Sequence, residues 1–284
     1  MDFLDRLIDL ALDEDLGAAG DVTTQSLRLQ RAHSTAELWA KEAMVLAGLG
    51  AFSRVFERVD PRVEVKLHRA DGDAIAGRTR VADVAGPSGS ILTAERTALN
   101  IVQRTSGIAT ATRRAIEALG RSSLKILDTR KTSPGMRQLE KAAVRAGGGH
   151  NHRFGLFDGI LIKDNHIAAV GGSVREALSR ARENGPRLVK IEIEVTSLAQ
   201  AKEAILAGAN ILLLDNMSDE QIREIVRLAR GRVELEVSGG VTLERLPAIA
   251  KLGVNYVSMG ALTHSARAVD LSLEFRVGKR VKKR

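Results

Sequence analysis

No cysteine occurs among the 284 residues, which removes disulfides, thiolate nucleophiles and cysteine-ligated zinc as explanations for anything the chain does. No run of eighteen apolar residues occurs either, and the start, Met1 to Leu16, is broken by Asp2, Asp5, Asp9, Asp13, Glu14 and Asp15. Within it Phe3, Leu4, Leu7, Ile8 and Ala11 follow a helical spacing, so an amphipathic helix is expected and neither a signal peptide nor a membrane span, and with them a cytoplasmic location is expected. Aromatic residues make up only 3%, too few to offer a stacking platform for bases, and no nucleic-acid motif is visible. The formal charge of +8 is largely a terminal matter. Residues 275–284, FRVGKRVKKR, carry six of the 43 Lys/Arg and no acid, so the remainder holds 37 bases against 35 acids. The tail reads as a solubilising or partner-contacting end.

The hydrophobic fraction of 44% is enough for a large core. From residue 124 onward short apolar runs alternate with helical patterns. Strands are expected at 124–127, 159–162, 189–195, 211–214, 233–237 and 255–259. Helices are expected at 136–146, 173–184, 197–207, 219–229 and 242–251, two of them opened by capping boxes, Ser197 with Gln200 and Ser218 with Gln221. Such alternation implies parallel strands with helical crossovers. Polar residues follow strand after strand: Lys163 the second, Glu194 the third, Asp215-Asn216 the fourth, Ser238-Gly239-Gly240 the fifth, Gly260 the sixth. A doubly wound sheet would gather its site at one switch point, so a barrel, open or closed, is favoured. The first 120 residues differ. Strands at 36–47 and 63–69 flank a helix at 50–59, Gly72, Gly77, Gly86, Pro87 and Gly89 mark turns, and a long helical pattern runs from about Ile91 to Leu119. The fold expected is α/β, an α+β domain (1–108, with 266–284 packing back on it) followed by an α/β barrel (109–265).

Between Asp128 and His166, thirty-nine residues hold seven Lys/Arg and three His. Arg137, Glu140, Lys141 and Arg145 fit the exposed face of a helix. Arg130, Lys131, His152, Arg153 and Lys163 lie outside it, at strand ends and loops, and are the candidates for binding an anionic ligand. Glu194 and Asp215 end consecutive strands, and parallel neighbours lie about 4.8 Å apart, so their carboxylates can meet. Two hard oxygen donors suit Mg²⁺; pairing with the surrounding cations is the alternative. Glu192 has the parity of Glu194 but lies farther from the strand end. Glycines in Ser238-Gly239-Gly240 and at Gly260-Ala261 expose backbone N–H groups suited to phosphate. A histidine metal site is not expected, because Arg153 and Lys163 would repel a cation. His152 is taken as a hydrogen-bond donor to carboxylates and His150 as a bystander.

These segments together resemble the quinolinate phosphoribosyltransferase family, also called nicotinate-nucleotide pyrophosphorylase (carboxylating). The likeness rests on Glu14–Gly17 with Gly20–Thr24, Glu95–Asn100, Ser106–Thr110, Asp128–Thr132, the Gly147–Arg153 stretch GGGHNHR, Lys163–His166, Leu214–Met217 and Ser238–Gly240, in order along almost the whole chain. The resemblance implies a homodimer of chains with an N-terminal α/β sandwich and an open α/β barrel, acting in NAD biosynthesis. It implies that Arg130, His152, Arg153 and Lys163 receive the two carboxylates of quinolinate, with Arg96 reaching in from the partner chain. Lys131 and Lys163 would face phosphoribosyl pyrophosphate. Glu194 and Asp215 would hold Mg²⁺ and ribose, and Ser238, Gly239, Gly240, Gly260 and Ala261 would take the 5′-phosphate. Lys131, Lys163, Glu194 and Asp215 thereby become the expected catalytic set. Ala142 departs from the aromatic residue common at its position. Two other readings remain open on the residues themselves: an aldolase with Lys163 as Schiff-base nucleophile, and a polyanion-binding protein using its tail.

Overall fold

The computed structural model describes residues 3–29 and 32–276; most of the basic tail lies outside the described residues. The described chain packs as two units, one of residues up to 111 with 134–148 and 266–276, the other of residues 112–133 and 149–265.

The first unit opens with helix α1 (Phe3–Leu16), which buries Ile8 of the expected apolar face together with Leu12, while Phe3 is exposed. The short α2 (Val22–Ser26) comes next, its first turn capped by the Asp21 carboxylate, which accepts the Thr24 N–H at 3.0 Å. Then come β1 (His33–Ala40), β2 (Met44–Val45), α3 (Leu49–Val59), β3 (Glu64–Leu67), β4 (Ala74–Ile75), β5 (Thr79–Pro87) and α4 (Ser88–Leu119). The single strand expected at 36–47 is two, in different sheets: β1 pairs with β5, while β2 pairs with β4 after a bend at residues 41–42. β5 is hidden in the sequence because its closing residues, Gly86 and Pro87, read as turn residues, although only the end of the strand carries them. On β1 the alternate residues Ala36, Leu38 and Ala40 are buried. They share a core with Phe52 and Phe56 of α3, whose rings meet edge-on at 5.1 Å, and with Ile91 and Leu99 of α4. Burial of each such ring stabilises the fold by about 1.5–3 kcal/mol. On α4, Thr110 receives the Val45 N–H at 2.9 Å and Ser106 the Ala47 N–H at 3.0 Å. That gives the Ser106–Thr110 motif a structural duty, satisfying buried backbone groups beside β2.

After α4 the chain enters the second unit with β6 (Lys125–Leu127), and α5 (Arg137–Ala146) groups with the first. The second unit then runs through β7 (Ile160–Ile162), α6 (Asp164–Ala169), α7 (Val174–Asn184), β8 (Ile191–Val195), α8 (Leu198–Leu206), β9 (Ile211–Asp215), α9 (Asp219–Ala229), β10 (Glu234–Ser238), α10 (Leu246–Ile249), β11 (Tyr256–Ser258) and α11 (Ala261–His264). The last strand, β12 (Leu271–Phe275), pairs antiparallel with β1 in the first unit.

Glu140 and Lys141 on α5 are not exposed, as the helical pattern implied, but almost wholly buried. Glu140 accepts two hydrogen bonds from Arg104 of α4, at 3.1 and 3.0 Å. Charge patterning on a helix marks the solvent face only when no partner cation waits on the neighbouring element. The helix expected at 242–251 is also not continuous. A 3₁₀ turn at Leu243–Arg245 precedes the four-residue α10, where Pro247 occupies the first turn.

All six strands of the second unit pair in parallel in the order β6-β11-β10-β9-β8-β7. Among the described residues no pairing joins β6 to β7, so the barrel is open there. The expected helix starts hold: Ser218 and Gln221 cap α9 reciprocally, and Ser197 accepts the Gln200 N–H at α8.

Candidate active site

The gap beside β6 is occupied by the segment His150–Arg153. Leu127 and His150 form a parallel bridge, and the wholly buried Asp128 carboxylate clamps the two residues after His150, accepting the His152 N–H at 2.9 Å and the Asn151 amide at 2.6 Å. Asp128 thus anchors the loop that carries His152 and Arg153. The Arg153 guanidinium donates from Nη1 to the Gly159 carbonyl at 3.0 Å, and its stem lies so close that a Cβ at Gly159 would sit 3.1 Å from it. Its Nε is buried with no protein acceptor, and burial, then the neighbouring Arg130, lowers its pKa from the ordinary arginine value.

These groups form one wall of a cleft of about 560 Å³ at the C-terminal ends of the strands. Arg130, Lys131, His152, Arg153, Lys163, Glu194, Asp215, Ser238, Gly239 and Gly240 all line it. Lys163, just before α6, is half exposed, with Nζ 3.7 Å from Glu194. Burial raises the Glu194 carboxyl above its usual range, Lys163 opposes that shift, and the nearby Asp215 adds to it. Ser238 is in register with Asp215 across β9 and β10. Gly239 and Gly240 both have left-handed φ, +89° and +55°, and a Cβ at Gly239 would meet Asn216 Oδ1 at 2.2 Å. Only glycine satisfies both conditions at 239. Because α10 is so short, the N–H groups of the loop itself, rather than the end of a long helix, are what this corner can offer an anion.

Gly260 and Ala261 lie at the start of α11 and outside the cleft lining. Gly260 borders it indirectly: a Cβ there would stand 2.9 Å from Lys131 Cδ, and Thr263 donates to the Lys131 carbonyl at 2.8 Å. Arg96 belongs to the first unit and is exposed on α4. His166 is structural, its Nδ1 accepting the Lys163 N–H at 3.0 Å.

Sequence reasoning missed Glu236, which lines the cleft from β10, and set Glu192 aside. The sequence gives no reason to expect a histidine metal site, yet His152 Nε2 lies 2.9 Å from Glu192 and 3.7 Å from Glu236. The available signal was parity, since Glu236 shares the inward face of Ser238 and is flanked by Leu235 and Val237. Three such residues have the spacing of a cation site. The histidine is nonetheless set up for hydrogen bonding. Its Nδ1 accepts the Arg153 N–H at 2.7 Å, so the ring proton sits on Nε2, which therefore donates and cannot ligate.

The carboxylates Glu194 and Asp215 fit Mg²⁺ by chemistry: both face the same cleft, Asp215 raises the cost of charging Glu194, and both are hard oxygen donors.

Comparison with known proteins finds one family along most of the chain. Residues 21–106 match the model of the quinolinate phosphoribosyl transferase N-terminal domain and residues 108–274 that of the C-terminal domain. A probable nicotinate-nucleotide pyrophosphorylase [carboxylating] of Bacillus subtilis is 45% identical over 95% of this chain and 93% of its own length. A mitochondrial quinolinate phosphoribosyltransferase [decarboxylating] of Nicotiana tabacum is 38% identical over 99% of this chain and 86% of its own. The solved nicotinate-nucleotide pyrophosphorylase of Francisella tularensis superposes with a TM-score of 0.90 at 40% identity, covering 96% of both chains. NadC from Streptococcus pyogenes gives 0.91 at 45%, covering 95% of both. With both domain models matched along the chain and the strand-end cleft intact, the protein belongs to the quinolinate phosphoribosyltransferase family.

Proposed function

We propose that the protein transfers a phosphoribosyl group from phosphoribosyl pyrophosphate to quinolinate, with loss of CO₂, giving nicotinate mononucleotide and pyrophosphate. One observation carries this reading: a single cleft is lined by Arg130, Arg153, Lys131 and Lys163 together with Glu194, Asp215 and the Ser238–Gly240 loop. The cations exceed what one phosphate needs and suit a second ligand with two carboxylates. The exposed Lys163, salt-bridged to Glu194, lacks the desolvation a Schiff-base lysine requires, which disfavours the aldolase reading.

In this reading Arg130 and Arg153 grip the carboxylates through paired hydrogen bonds and aim the pyridine nitrogen at C1 of the ribose. The nitrogen lone pair forms the new C1–N bond as the C1–O bond to pyrophosphate breaks, and that bonding pair leaves with pyrophosphate. Lys131 and Lys163 offset the charge gathering on the leaving group. Mg²⁺, held by Glu194 and Asp215, would supply further neutralisation of the pyrophosphate charge. The ring nitrogen is now cationic. The C2–carboxylate bond then breaks, its electron pair staying on C2 next to that charge, and a proton replaces CO₂. The cleft mainly orients reactants and excludes water.

A direct assay for nicotinate mononucleotide from quinolinate, phosphoribosyl pyrophosphate and Mg²⁺ tests the reading. Nicotinate in place of quinolinate should be used far less efficiently, since each lost carboxylate contact costs about 1–3 kcal/mol; equal specificity constants would sink it.

Arg96 is assigned to the partner's cleft in a two-fold homodimer. Mixing Arg96→Ala chains with Lys163→Ala chains should then restore roughly a quarter of wild-type activity, because about half of the dimers are mixed and each has one intact site. Verified subunit exchange without recovery would remove Arg96 from the partner's site.

A further inference from the structure

His152 lines the cleft, yet both of its ring nitrogens are already engaged within the protein. Nδ1 accepts the N–H of the next residue, Arg153, at 2.7 Å, and Nε2 lies 2.9 Å from Glu192. The neutral imidazole has one ring proton, so the first contact fixes it on Nε2 and the second gives it an acceptor. Glu192 and Glu236 are 5% and 2% exposed, and one carboxylate oxygen of each takes no hydrogen bond. Two acids in a barrel interior are costly to keep. They come from β8 and β10, alternate strands whose inward side chains share a layer in barrels, and the histidine stands against both. A metal between the three would need Nε2 without its proton, which would turn the Nδ1 proton against the Arg153 N–H.

We propose that Glu192 is a positioning residue for the dicarboxylate acceptor: by taking the Nε2–H it orients the His152 ring, which holds the Arg153 backbone N–H and so sets where the Arg153 guanidinium meets the substrate. This rests on the reading that Arg153 binds quinolinate. His152 thereby acts through Arg153 rather than as a donor to the substrate. The chain of contacts is complete from barrel interior to cleft: Glu192 to the ring, ring to backbone, and the guanidinium pinned by the Gly159 carbonyl. Asp128 fixes the preceding residues independently, so losing the ring contact frees Arg153 without unfolding the loop.

The test uses the full-length protein, with quinolinate and phosphoribosyl pyrophosphate binding measured separately. Glu192→Leu removes the acceptor and should weaken quinolinate about ten-fold, leaving phosphoribosyl pyrophosphate within about two-fold. Glu192→Gln keeps an oxygen for the Nε2–H and should bind both nearly as wild type does. In a His152→Gln background, Glu192→Leu should cost quinolinate binding nothing more. Equal weakening of both ligands by Glu192→Leu would mean a general structural role and overturn the proposal, as would no effect on either. Nitrogen NMR of the wild-type His152 ring supplies a readout independent of folding in the variants. The Nε2–H tautomer is expected, and an Nδ1–H or doubly protonated ring overturns the relay. A wild-type protein that fails to bind quinolinate would instead strike the proposed function, while the ring tautomer would still judge the Glu192–His152–Arg153 geometry.

Discussion

Glu194 and Asp215 end their strands at the cleft; Glu192 and Glu236 sit deeper on β8 and β10. The residue chemistry is the same and the surroundings are not. Glu194 has Lys163 at 3.7 Å and an acid neighbour in Asp215, so its charge is contested by groups that a ligand can displace or join. Glu236 borders the same cleft but is only 2% exposed. Burial first, then the charge of Glu192, pushes its carboxyl up to about 7. Depth along the strands thus separates a carboxyl met by a cation at the rim from one that burial and a second acid keep from charging. A catalytic barrel can use both, the rim for chemistry and the layer below for holding the rim in place.

The largest effect should come from the rim. Glu194→Gln or Asp215→Asn is expected to lower turnover by about 10²–10³-fold, expressed in the Mg²⁺ and phosphoribosyl pyrophosphate dependence, with quinolinate affinity little changed. An unaltered Mg²⁺ titration would erase the distinction between rim and interior. Arg153→Ala comes next. Loss of a paired, charge-assisted grip should weaken quinolinate by about 100-fold and spare phosphoribosyl pyrophosphate; the same profile as Glu194→Gln would show that the cleft is not divided between two ligands.

The smallest effect concerns stability. Glu236 has a folded-state pKa raised from 4.5 to about 7, so the stability it contributes is fully present below pH 4.5 and lost as pH rises through 7. Thermal melts of Glu236→Gln against wild type should show the variant gaining relative stability across that window. A constant difference in Tm from pH 4.5 to 8 would mean that Glu236 is not buried with a raised pKa.

Much of the site was legible because barrel strands advertise it. Lys163, Glu194, Asp215 and Ser238–Gly240 each come at the end of an apolar run, and a polar residue at the mouth of a buried strand has few places to go. Arg130, His152 and Arg153 were visible as cations outside any helical period. Arg104 with Glu140 was not, since an ion pair between α4 and α5 with only its acid buried looks in sequence like two solvated helix faces. Nor was Asp128 as a clamp, because its partners, Asn151 and His152, come more than twenty residues later and meet it only through the bridge at Leu127.

The sequence by itself determined the order of elements in the second unit, the open-barrel class and the family. Apolar periodicity and capping are local, and the family's motifs are contiguous. Only the tertiary structure decided that α5 groups with the first unit, that Pro247 leaves no long helix behind the Ser238–Gly240 loop, and that His152 spends both ring nitrogens inside the protein. Each of those depends on which distant group sits opposite a side chain. Burial and hydrogen-bond satisfaction settle that matter across the whole fold, and no local pattern records it.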